Sequence, residues 1–311
     1  MTRIHRLAPR GLAFLAAALL IAAADALPAA ESTAVRQPCE QIRVLWQGRE
    51  VAIHHSGPAL DKSFIHPFWT PDRRCITYDA PADHIHHRGL SVGWPDLSGV
   101  DFWAEINAPA GRRGKMVPRE VFTAPLHAGG ASIAEVNDWV GEDGKALVRE
   151  RRQWRFLPPR GNVQLVDVDL ALTAVAPEVV FGSDPQKPRE YHGLTLRIGP
   201  FEQPRFFNSE GAEGDQNIHG KPARWVALSG LQNGGPVTAA ILDHPSNERH
   251  PNRFFVLGTG MQFISSSPNF GAPKVLKEDQ SWNLRYRVVA AGAPPEGRSW
   301  DLDALWKEFA E

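Results

Sequence analysis

The stretch Val163-Gln-Leu-Val-Asp-Val-Asp-Leu-Ala-Leu-Thr173 alternates apolar and polar side chains with a period of two residues. In an extended chain its apolar side chains would share one face, which holds Val166, Val168, Leu170 and Leu172. Asp167 and Asp169 would point to the opposite face. Residues 282–288 repeat the pattern near the end of the chain. Such alternation is typical of a β-strand that lies between a core and a polar surface.

Strand patterns of this kind recur along the whole chain. Further strands are predicted at Ile42–Trp46, Val117–Ala124, Ser132–Val140, Leu147–Phe156, Leu194–Ile198, Trp225–Ser229, Thr238–Leu242 and Phe254–Leu257. Glycine and proline between them indicate turns. One clear helix is predicted, Ser299–Phe309, with Ser299 or Asp301 as its N-cap. The sequence therefore predicts an all-β fold, a large antiparallel β-sandwich with a short C-terminal helix and no internal repeat or linker.

The beginning of the chain is typical of an export signal. Three arginines precede an uncharged apolar run, Gly11–Ala24, and Ala24-Asp25-Ala26 offers a cleavage site between small residues. The run is shorter than the roughly 20 residues that a membrane span requires. We therefore expect a signal peptide at residues 1–26, a single domain at residues 27–311, and a periplasmic or secreted mature protein without a membrane span.

Charge and motifs argue against several classes of function. The chain has a formal charge of -1, and because the leader contains three Arg and one Asp, its removal leaves -3. Phosphate backbones are bound by clustered Lys and Arg, and the sequence contains no such tract, so nucleic acid is not an expected partner. Glycine motifs for nucleotides and phosphate loops are also missing from the sequence. The oligomeric state is not indicated by any pattern.

Cys39 and Cys75 are the only cysteines of the chain. In an oxidising compartment they would form a disulfide that ties the N-terminal segment to the region of residue 75. Two free thiols are the alternative, and the sequence does not decide between the two. No Leu-x-x-Cys motif precedes Cys39, so lipid anchoring is not expected.

The segment His84–Trp103 concentrates side chains that can carry chemistry. Its sequence is His-Ile-His-His-Arg-Gly-Leu-Ser-Val-Gly-Trp-Pro-Asp-Leu-Ser-Gly-Val-Asp-Phe-Trp, with three imidazoles, one guanidinium, two carboxylates and two indoles. Unpaired charges are costly to bury, so such a set lies either on a solvated loop or in a polar cleft where the groups satisfy one another. We interpret the segment as part of a functional site.

Four further polar segments lie between the predicted strands. They are Arg189–Leu194, Asn208–Gly211 with its continuation to Trp225, Asp243–Arg253 and Ser265–Phe270. Most of the twelve histidines fall in these segments or in the segment above, namely His84, His86, His87, His192, His219, His244 and His250. This concentration predicts that the polar segments contribute to one site.

Several motifs connect these segments to a known family. They are His86-His-Arg-Gly-Leu90, Gly93-Trp94, Gly99-Val-Asp-Phe-Trp103, Ala223-Arg-Trp225 and Asp243-His-Pro-x-Asn-x-x-His-Pro251. In them the chain, roughly from residue 40 to its end, resembles a bacterial family of unknown function that carries the name methane oxygenase PmoA. The true membrane oxygenase subunits of that name span the bilayer several times, which this sequence does not predict. The resemblance implies instead a galactose-mutarotase-like β-supersandwich and an association with carbohydrate breakdown in exported bacterial systems.

The residue types suit acid-base chemistry on a sugar, which needs aromatic platforms, polar groups for hydroxyls, and an acid and a base. The expected catalytic residues are His86, His87, Arg88, Asp101 and Glu210. A histidine with an ordinary pKa near 6.5 would act as acid or base near neutral pH, and the guanidinium would stabilise developing charge. The expected substrate-binding residues are Trp94, Trp103, His192, His219, His244, Asn247, His250 and Arg253.

Several of these candidates also have structural explanations. His84 and His86 would point to one face of a strand and bond its neighbour. Trp94 and Trp103 would be core aromatics, since tryptophan is mostly buried. Asp101 would cap a turn.

Two more structural explanations concern charged residues. Arg88 would be an ordinary ion-pair partner of Asp83 or Asp96. The polarity of Asp243–Pro251 would follow from its position in loop ends beside proline. The joint occurrence of all these groups is harder to explain in this way than any one of them.

A metal site is the second chemistry that the pattern allows. The spacing His84-x-His86 would place two imidazoles on one side of a strand, and His244 or His250 with Asp243 would complete a set of ligands for a divalent transition metal. Against this, no spacing in the sequence matches a strong zinc signature. No cofactor is expected if the chemistry is acid-base.

Two functions of different class are therefore open. In the first, the protein is an exported carbohydrate-active enzyme, a lyase, hydrolase or epimerase-like catalyst that acts on a sugar or oligosaccharide through histidine and carboxylate groups. In the second, it is a carbohydrate-binding protein without catalysis. A His-ligated metalloenzyme is a further alternative.

Overall fold

The alternating stretch at residues 163–173 lies inside a sheet in a computed structural model of the protein. The structure describes residues 34–36, 41–126, 129–182, 184, 189–296 and 298–311. The predicted signal peptide at residues 1–26 and the predicted disulfide partner Cys39 lie outside the described residues.

The described chain consists mainly of β-strands. In chain order they are β1 (Ala34–Arg36), β2 (Gln41–Trp46), β3 (Arg49–His55), β4 (Phe64–Phe68), β5 (Leu90–Gly93), β6 (Lys115–Pro125), β7 (Ala131–Val140), β8 (Ala146–Phe156), β9 (Val163–Ala174), β10 (Glu178–Phe181), β11 (Gly193–Ile198), β12 (Glu202–Asn208), β13 (Trp225–Gln232), β14 (Gly235–Asp243), β15 (Phe255–Leu257), β16 (Gln262–Ser265), β17 (Lys274–Lys277) and β18 (Ser281–Ala291). Two helices follow the same order, α1 (Asp215–Ile218) and α2 (Leu302–Ala310), and Glu105–Asn107 forms a 3₁₀ turn.

These strands form two large antiparallel sheets. The first sheet has the order β1-β2-β3-β4-β5-β11-β16-β15, and the second has the order β12-β13-β14-β18-β9-β8-β7-β6. β10 and β17 form a separate two-stranded antiparallel ribbon. The prediction of an all-β antiparallel sandwich is confirmed.

The register of β9 and β18 explains why alternation predicted the fold. Leu170 pairs with Leu284 on the inner face of the second sheet, and both side chains are buried. On the outer face Asp167 pairs with Arg287, whose Nε donates to Asp167 Oδ1 at 2.6 Å. Burial of each large aliphatic side chain contributes about 1.5–3 kcal/mol, so a register slip of one residue would exchange this gain for buried charges.

The inner faces of both sheets form one hydrophobic core. It includes Leu90, Val92 and Leu194 from the first sheet with Val166 and Val168 from the second. Because alternate residues on these strands face away from the core, the outer face of each sheet is available for other contacts. On the first sheet that outer face carries the cavity described below.

The predicted C-terminal helix is present as α2. Asp301 is its N-cap, since its side chain accepts a hydrogen bond from Ala304 N at 2.8 Å. Its apolar residues Leu302 and Phe309 pack in a second cluster on the outer face of the second sheet, against Leu242 and Val289. Among the described residues, no helix has the length and apolar character that a bilayer crossing requires.

Candidate functional site

A cavity of about 480 Å³ lies on the outer face of the first sheet, at the edge formed by β15 and β16. Val256 and Ile264 point from these strands into the core. The alternate residues Phe255, Leu257 and Phe263 line the cavity and form an apolar floor. The period of two that builds the core therefore also builds this floor.

The walls of the cavity come from the segments on either side of β5 and from the segment before β11. Their lining residues are His84, His86, His87, Asp101, Trp103, Ala104, Asn107, Pro109, Arg189 and Tyr191. The volume is within the range of small-molecule sites, and the lining mixes aromatic rings with a few polar groups, as such sites do.

The three adjacent histidines lie on consecutive turns. The backbone N–H of His84 donates to Pro81 O and that of His87 donates to His84 O, each at 2.9 Å. The expectation that His84 and His86 share one face of a strand is therefore wrong, because residues 84–86 form turns and not a strand. The turns bring the rings together, with centroid distances of 4.7 Å from His87 to both His84 and His86 and 5.7 Å between the latter two.

Burial and mutual repulsion keep two of these rings neutral. Burial, together with the charges of Lys62 and His84, lowers the pKa of His86 to about 4. Burial likewise lowers the pKa of His87 to about 2, assisted by the charges that His86 and Arg197 would present. The ordinary pKa expected from the sequence is therefore not retained, and both rings are uncharged at neutral pH.

A hydrogen bond defines the tautomer of His86, whereas His87 Nδ1 has no described partner that would define its tautomer. Asn107 Nδ2 donates to His86 Nδ1 at 3.2 Å, so the neutral His86 ring carries its proton on Nε2. His87 Nδ1 is buried and has no hydrogen-bond partner among the described residues. A buried polar atom without a partner is unusual and is often found at functional sites.

Trp103 belongs to the cavity, whereas Trp94 does not. The Trp103 ring lies 5.4 Å from the rings of both His87 and Tyr191. Trp94 is a core residue whose Nε1 donates to Asn269 Oδ1 at 2.9 Å. The structure therefore places one of the two predicted sugar platforms at the site and the other inside the sandwich.

His192 is also buried away from the cavity. It stacks on Trp94 with a centroid distance of 5.8 Å, and its Nε2 lies 3.4 Å from Glu190 Oε2. Burial lowers the pKa of His192, and the Glu190 carboxylate opposes this effect only in part. Its position is that of a packing residue between the core and the segment before β11.

Asp101 organises one wall of the cavity. Its Oδ1 accepts from the backbone N–H groups of Trp103 and Ala104 at 2.8 Å each. Its Oδ2 accepts from Arg189 Nη1 at 3.1 Å. Both oxygens are thus engaged, which fits the turn-capping explanation and makes Asp101 the residue that holds the Arg189 guanidinium at the cavity.

Two further cations fix the loops around the site. The buried Lys62 Nζ donates to His86 O at 3.0 Å and to Trp103 O at 2.7 Å, and so joins the two segments that flank β5. Arg88 binds Glu105 through Nε and Nη2, at 3.0 and 2.8 Å. Arg88 is therefore an ion-pair partner of Glu105 rather than of the predicted Asp83 or Asp96, and it does not line the cavity.

The model of one protein family matches residues 41–306, and the description of that family is "Family of unknown function (DUF6807)". The chain belongs to this family. All residues that line the cavity lie inside the matched region. A comparison with curated proteins finds no match to the chain.

Three of the predicted site residues lie on the protein surface, outside the cavity. Glu210 is exposed and accepts from Ser209 Oγ at 2.8 Å. Arg253 is exposed and donates to Gly220 O at 2.6 Å. His219 lies against Phe255, at 4.7 Å between ring centroids, but does not line the cavity. These residues were predicted from their polar side chains, and residue type does not show whether a polar loop is exposed or forms a wall of the cavity.

The motif Asp243–Pro251 builds a separate buried network. Asp243 Oδ1 accepts from Asn247 Nδ2 and Asn252 Nδ2 at 2.7 Å each, and its Oδ2 accepts from His250 Nδ1 at 2.6 Å. His250 stacks on Trp306 of α2 at 5.8 Å. Asn247 and His250 are thus structural partners of Asp243 and do not reach the cavity.

His244 lies beside the Asp243 network, away from the histidines that line the cavity. The predicted metal ligands His84, His86, His244 and His250 therefore do not come together. Arg285 Nη1 donates to His244 Nε2 at 2.9 Å, and burial lowers the pKa of His244. His84 and His86 line the cavity, whereas His244 and His250 belong to the Asp243 network. Within the described ranges, no group of three or more His, Cys, Asp or Glu side chains has an arrangement suited to a metal ion.

One further motif has a structural explanation. Gly89-Leu-Ser-Val-Gly93 matches the Gly-x-Ser-x-Gly pattern of serine hydrolases. In those enzymes the serine lies on an exposed turn between a strand and a helix. Here Ser91 lies inside β5, is buried, and has its Oγ 3.2 Å from Thr195 Oγ1. The motif therefore supplies no nucleophile to the cavity.

Sequence reasoning did not select several residues that line the cavity. These are Asn107, Arg189, Tyr191, Phe255 and Phe263. Arg189 and Tyr191 belong to the polar segment Arg189–Leu194, which the sequence does single out. Within that segment, however, the residue predicted to bind substrate is His192. The two phenylalanines carry no signal beyond the strand pattern.

Proposed function

We propose that the protein is an exported carbohydrate-active enzyme whose sugar substrate binds in the cavity on the first sheet. The observation that carries the proposal is the joint lining of one cavity by Trp103, Tyr191, three histidines and the Asp101–Arg189 pair. Aromatic faces stack on the apolar faces of sugar rings, and imidazole and guanidinium groups bind hydroxyl or carboxylate oxygens.

The proposal includes the fold family and the location of the protein. The proposed fold family is a galactose-mutarotase-like supersandwich, with which the two eight-stranded antiparallel sheets agree. The resemblance to the family named PmoA rests on the sequence motifs alone. Export is supported by the leader pattern at residues 1–26.

In this proposal His86 and His87 take the roles of acid and base. His86 presents Nε2–H because Asn107 occupies its Nδ1. His87 is neutral and therefore has a lone pair that accepts a proton. A pKa of about 2 makes His87 a weak base in the free protein, so a substrate that raises this pKa would be needed for rapid proton transfer near neutral pH.

A carbohydrate-binding protein without catalysis is the second candidate, and one observation favours it. Both oxygens of Asp101, the carboxylate that lines the cavity, already accept hydrogen bonds. A glycosidase of the usual kind needs two carboxyl groups that reach the scissile bond. Binding or histidine-based proton transfer therefore agrees better with the cavity than carboxylate-pair hydrolysis does.

The test compares turnover by the mature protein and by His87→Ala. Proton NMR follows pools of neutral, acidic and oxidised oligosaccharides in which new or faster-exchanging sugar signals reveal a reaction. We expect the wild type to convert at least one pool. We expect His87→Ala to lose at least about 100-fold in rate, as is typical when a general acid or base is removed, and to keep saccharide affinity within a few-fold.

Glu210→Gln is the matched control, since it changes a predicted carboxylate that the structure places outside the cavity. It should convert the same pool at the wild-type rate. If no pool reacts and His87→Ala only weakens saccharide binding, the binding function replaces the enzymatic one.

A further inference from the structure

Arg189 is the only arginine that lines the cavity among the residues that the structure describes. Its Nη1 donates to Asp101 Oδ2 at 3.1 Å and lies 3.5 Å from Pro95 O. No described residue accepts a hydrogen bond from its Nε or Nη2. Its side chain is 31% exposed. One edge of the guanidinium is therefore held by Asp101, while the donors of the other edge have no acceptor among the described residues.

The neighbouring arginines are not available in this way. Arg88 is bound through two nitrogens to Glu105. Arg197 is buried beneath the histidine turns and donates to Asp83 Oδ2 at 3.1 Å. Arg197 Nε and Nη1 also lack a hydrogen-bond partner among the described residues, but both atoms are buried and Arg197 does not line the cavity. A guanidinium recognises carboxylate oxygens through two parallel hydrogen bonds, and of these three arginines only Arg189 has donors without a described partner at the cavity wall.

The rest of the polar lining also favours an acceptor-rich ligand. Neutral His86 presents an N–H, and Asn107 has a second amide hydrogen beyond the one it gives to His86. The carboxylates beside them are paired with cations, Asp83 with Arg197 and Glu105 with Arg88. An anionic group that entered the cavity would thus meet hydrogen-bond donors and a partly free guanidinium rather than an unpaired carboxylate.

We infer that the sugar bound in this cavity carries a carboxylate, as a uronic acid does, and that Arg189 binds this carboxylate. The inference rests on the proposed carbohydrate function and names its substrate class. Burial is the main cause of the lowered pKa values of His86 and His87, and nearby cations such as Lys62 lower them as well. A carboxylate at this position would offset the contribution of these cations. Substrate binding would then raise these values toward the range in which histidine exchanges protons near neutral pH.

Isothermal titration of the mature protein tests this inference with matched pairs of ligands. The probes are methyl glucuronide against methyl glucoside, methyl galacturonide against methyl galactoside, and acetate as a carboxylate without a sugar ring. We expect at least one uronide to bind about tenfold or more tightly than its neutral partner, because a charge-assisted bidentate contact is lost in the neutral sugar.

Arg189→Gln should abolish this preference, and Arg189→Lys should retain only part of it because lysine cannot form the bidentate contact. Arg160→Gln is the matched control, since Arg160 also binds a carboxylate, that of Glu308, but lies outside the cavity. It should leave the preference unchanged. Circular dichroism and the melting temperature of each variant confirm that the variants are folded.

The outcomes separate this inference from the proposed function. Equal binding of uronides and neutral sugars, or a preference that survives in folded Arg189→Gln or Arg189→Lys at full size, would overturn the carboxylate inference and leave the carbohydrate function standing. Acetate that binds as tightly as the uronides would overturn the sugar function and support an anion site at Arg189. Binding of none of the probes would count against both.

Discussion

His87 shows how strongly the fold changes one residue. The ring is buried against Phe263 and Trp103, at centroid distances of 5.3 and 5.4 Å, and its Nδ1 has no described partner. In the unfolded chain its pKa would be near 6.5, and burial lowers the pKa of His87 to about 2 in the folded protein. The unfolded chain therefore binds a proton at pH values at which the folded protein does not.

This difference predicts a loss of stability in mild acid. Because the folded pKa is below the unfolded one, the contribution of neutral His87 is fully present above pH 6.5 and is lost as the pH falls toward 2. Between pH 6.5 and 5 the free energy of unfolding should fall by about 1.6 kcal/mol from this residue alone. Urea unfolding of wild type and His87→Phe at both pH values measures the effect.

His87→Phe should lack this part of the pH dependence, because phenylalanine keeps the ring contacts and does not titrate. Gln216→Ala, at an exposed side chain that does not titrate and lies outside the cavity, serves as the control and should follow the wild-type curve within about 0.5 kcal/mol. An identical pH dependence in wild type and His87→Phe would contradict the neutral, buried state of His87.

At the scale of residues, the sequence shows which side chains can take part in chemistry, but it does not show where each of them lies in the fold. Trp94 and Trp103 were equivalent in the sequence, yet one bonds Asn269 in the core and the other lines the cavity. Arg88 and Arg189 likewise differ in position, since Arg88 binds Glu105 outside the cavity, whereas Arg189 binds Asp101 and lines the cavity. Such differences depend on contacts between distant segments, which composition and spacing do not contain.

At the scale of elements, β5 places the site because it joins the histidine turns to the Trp103 turn. Its residues alternate, with Leu90 and Val92 in the core and Ser91 and Gly93 on the outer face. A Cβ atom on Gly93 would lie 3.0 Å from both Phe102 O and Trp103 Cε3. The absence of a side chain at this position thus allows the indole to pack directly on the strand.

Gly93→Ala should therefore disturb both stability and the cavity. The backbone oxygen of Phe102 cannot rotate away, so we expect a loss of about 1–3 kcal/mol in the free energy of unfolding, with weaker saccharide binding as Trp103 is displaced. Thermal denaturation and titration with the preferred saccharide measure the two effects.

Gly141→Ala is the control for this substitution. Its nearest contact would be Asp143 Oδ1 at 3.2 Å, the flexible end of a side chain. It should cost clearly less than Gly93→Ala and leave saccharide binding unchanged. Full stability and binding in Gly93→Ala would show that Trp103 does not depend on this close approach.

The sequence predicts the strands with long alternation most clearly, although it also predicts the short strands β2 and β15. β9 and β18 have eleven or more residues each and were recognised directly. β4, β5 and β16 have only four or five residues and contain proline, glycine or polar side chains within the strand, so their alternation is too short to detect. These short strands belong to the first sheet, and β5 and β16 support the cavity.

At the scale of the whole molecule, the site depends on topology rather than on any one segment. Its walls and floor come from residues 84–109, residues 189–191 and residues 255–263. The order β5-β11-β16-β15 brings these segments together although they are widely separated in the chain. The sequence predicted the sandwich and the importance of the first segment, but strand order is set by long-range packing that local patterns do not encode.

Topology also explains why two histidine-rich motifs proved to be separate. The motif around His86 lies on the outer face of the first sheet, whereas the Asp243–His250 network lies at β14, in the second sheet, against α2. Sequence reasoning placed both in one site because both combine histidine with polar partners. The structure instead assigns the first to the cavity and the second to the packing of α2.

The most direct test of the central claim, that the cavity on the first sheet binds the sugar, uses the indole N–H signals of the ten tryptophans. In a ¹⁵N NMR titration with neutral and acidic saccharides, single Trp→Phe variants assign the signals of Trp103, Trp94 and Trp306. We expect the Trp103 signal to shift in a saturable manner, while the signals of Trp94, in the core, and Trp306, beside His250, stay in place. A shift of the Trp306 signal with Trp103 unchanged would contradict sugar binding in this cavity and move the site to the Asp243 network.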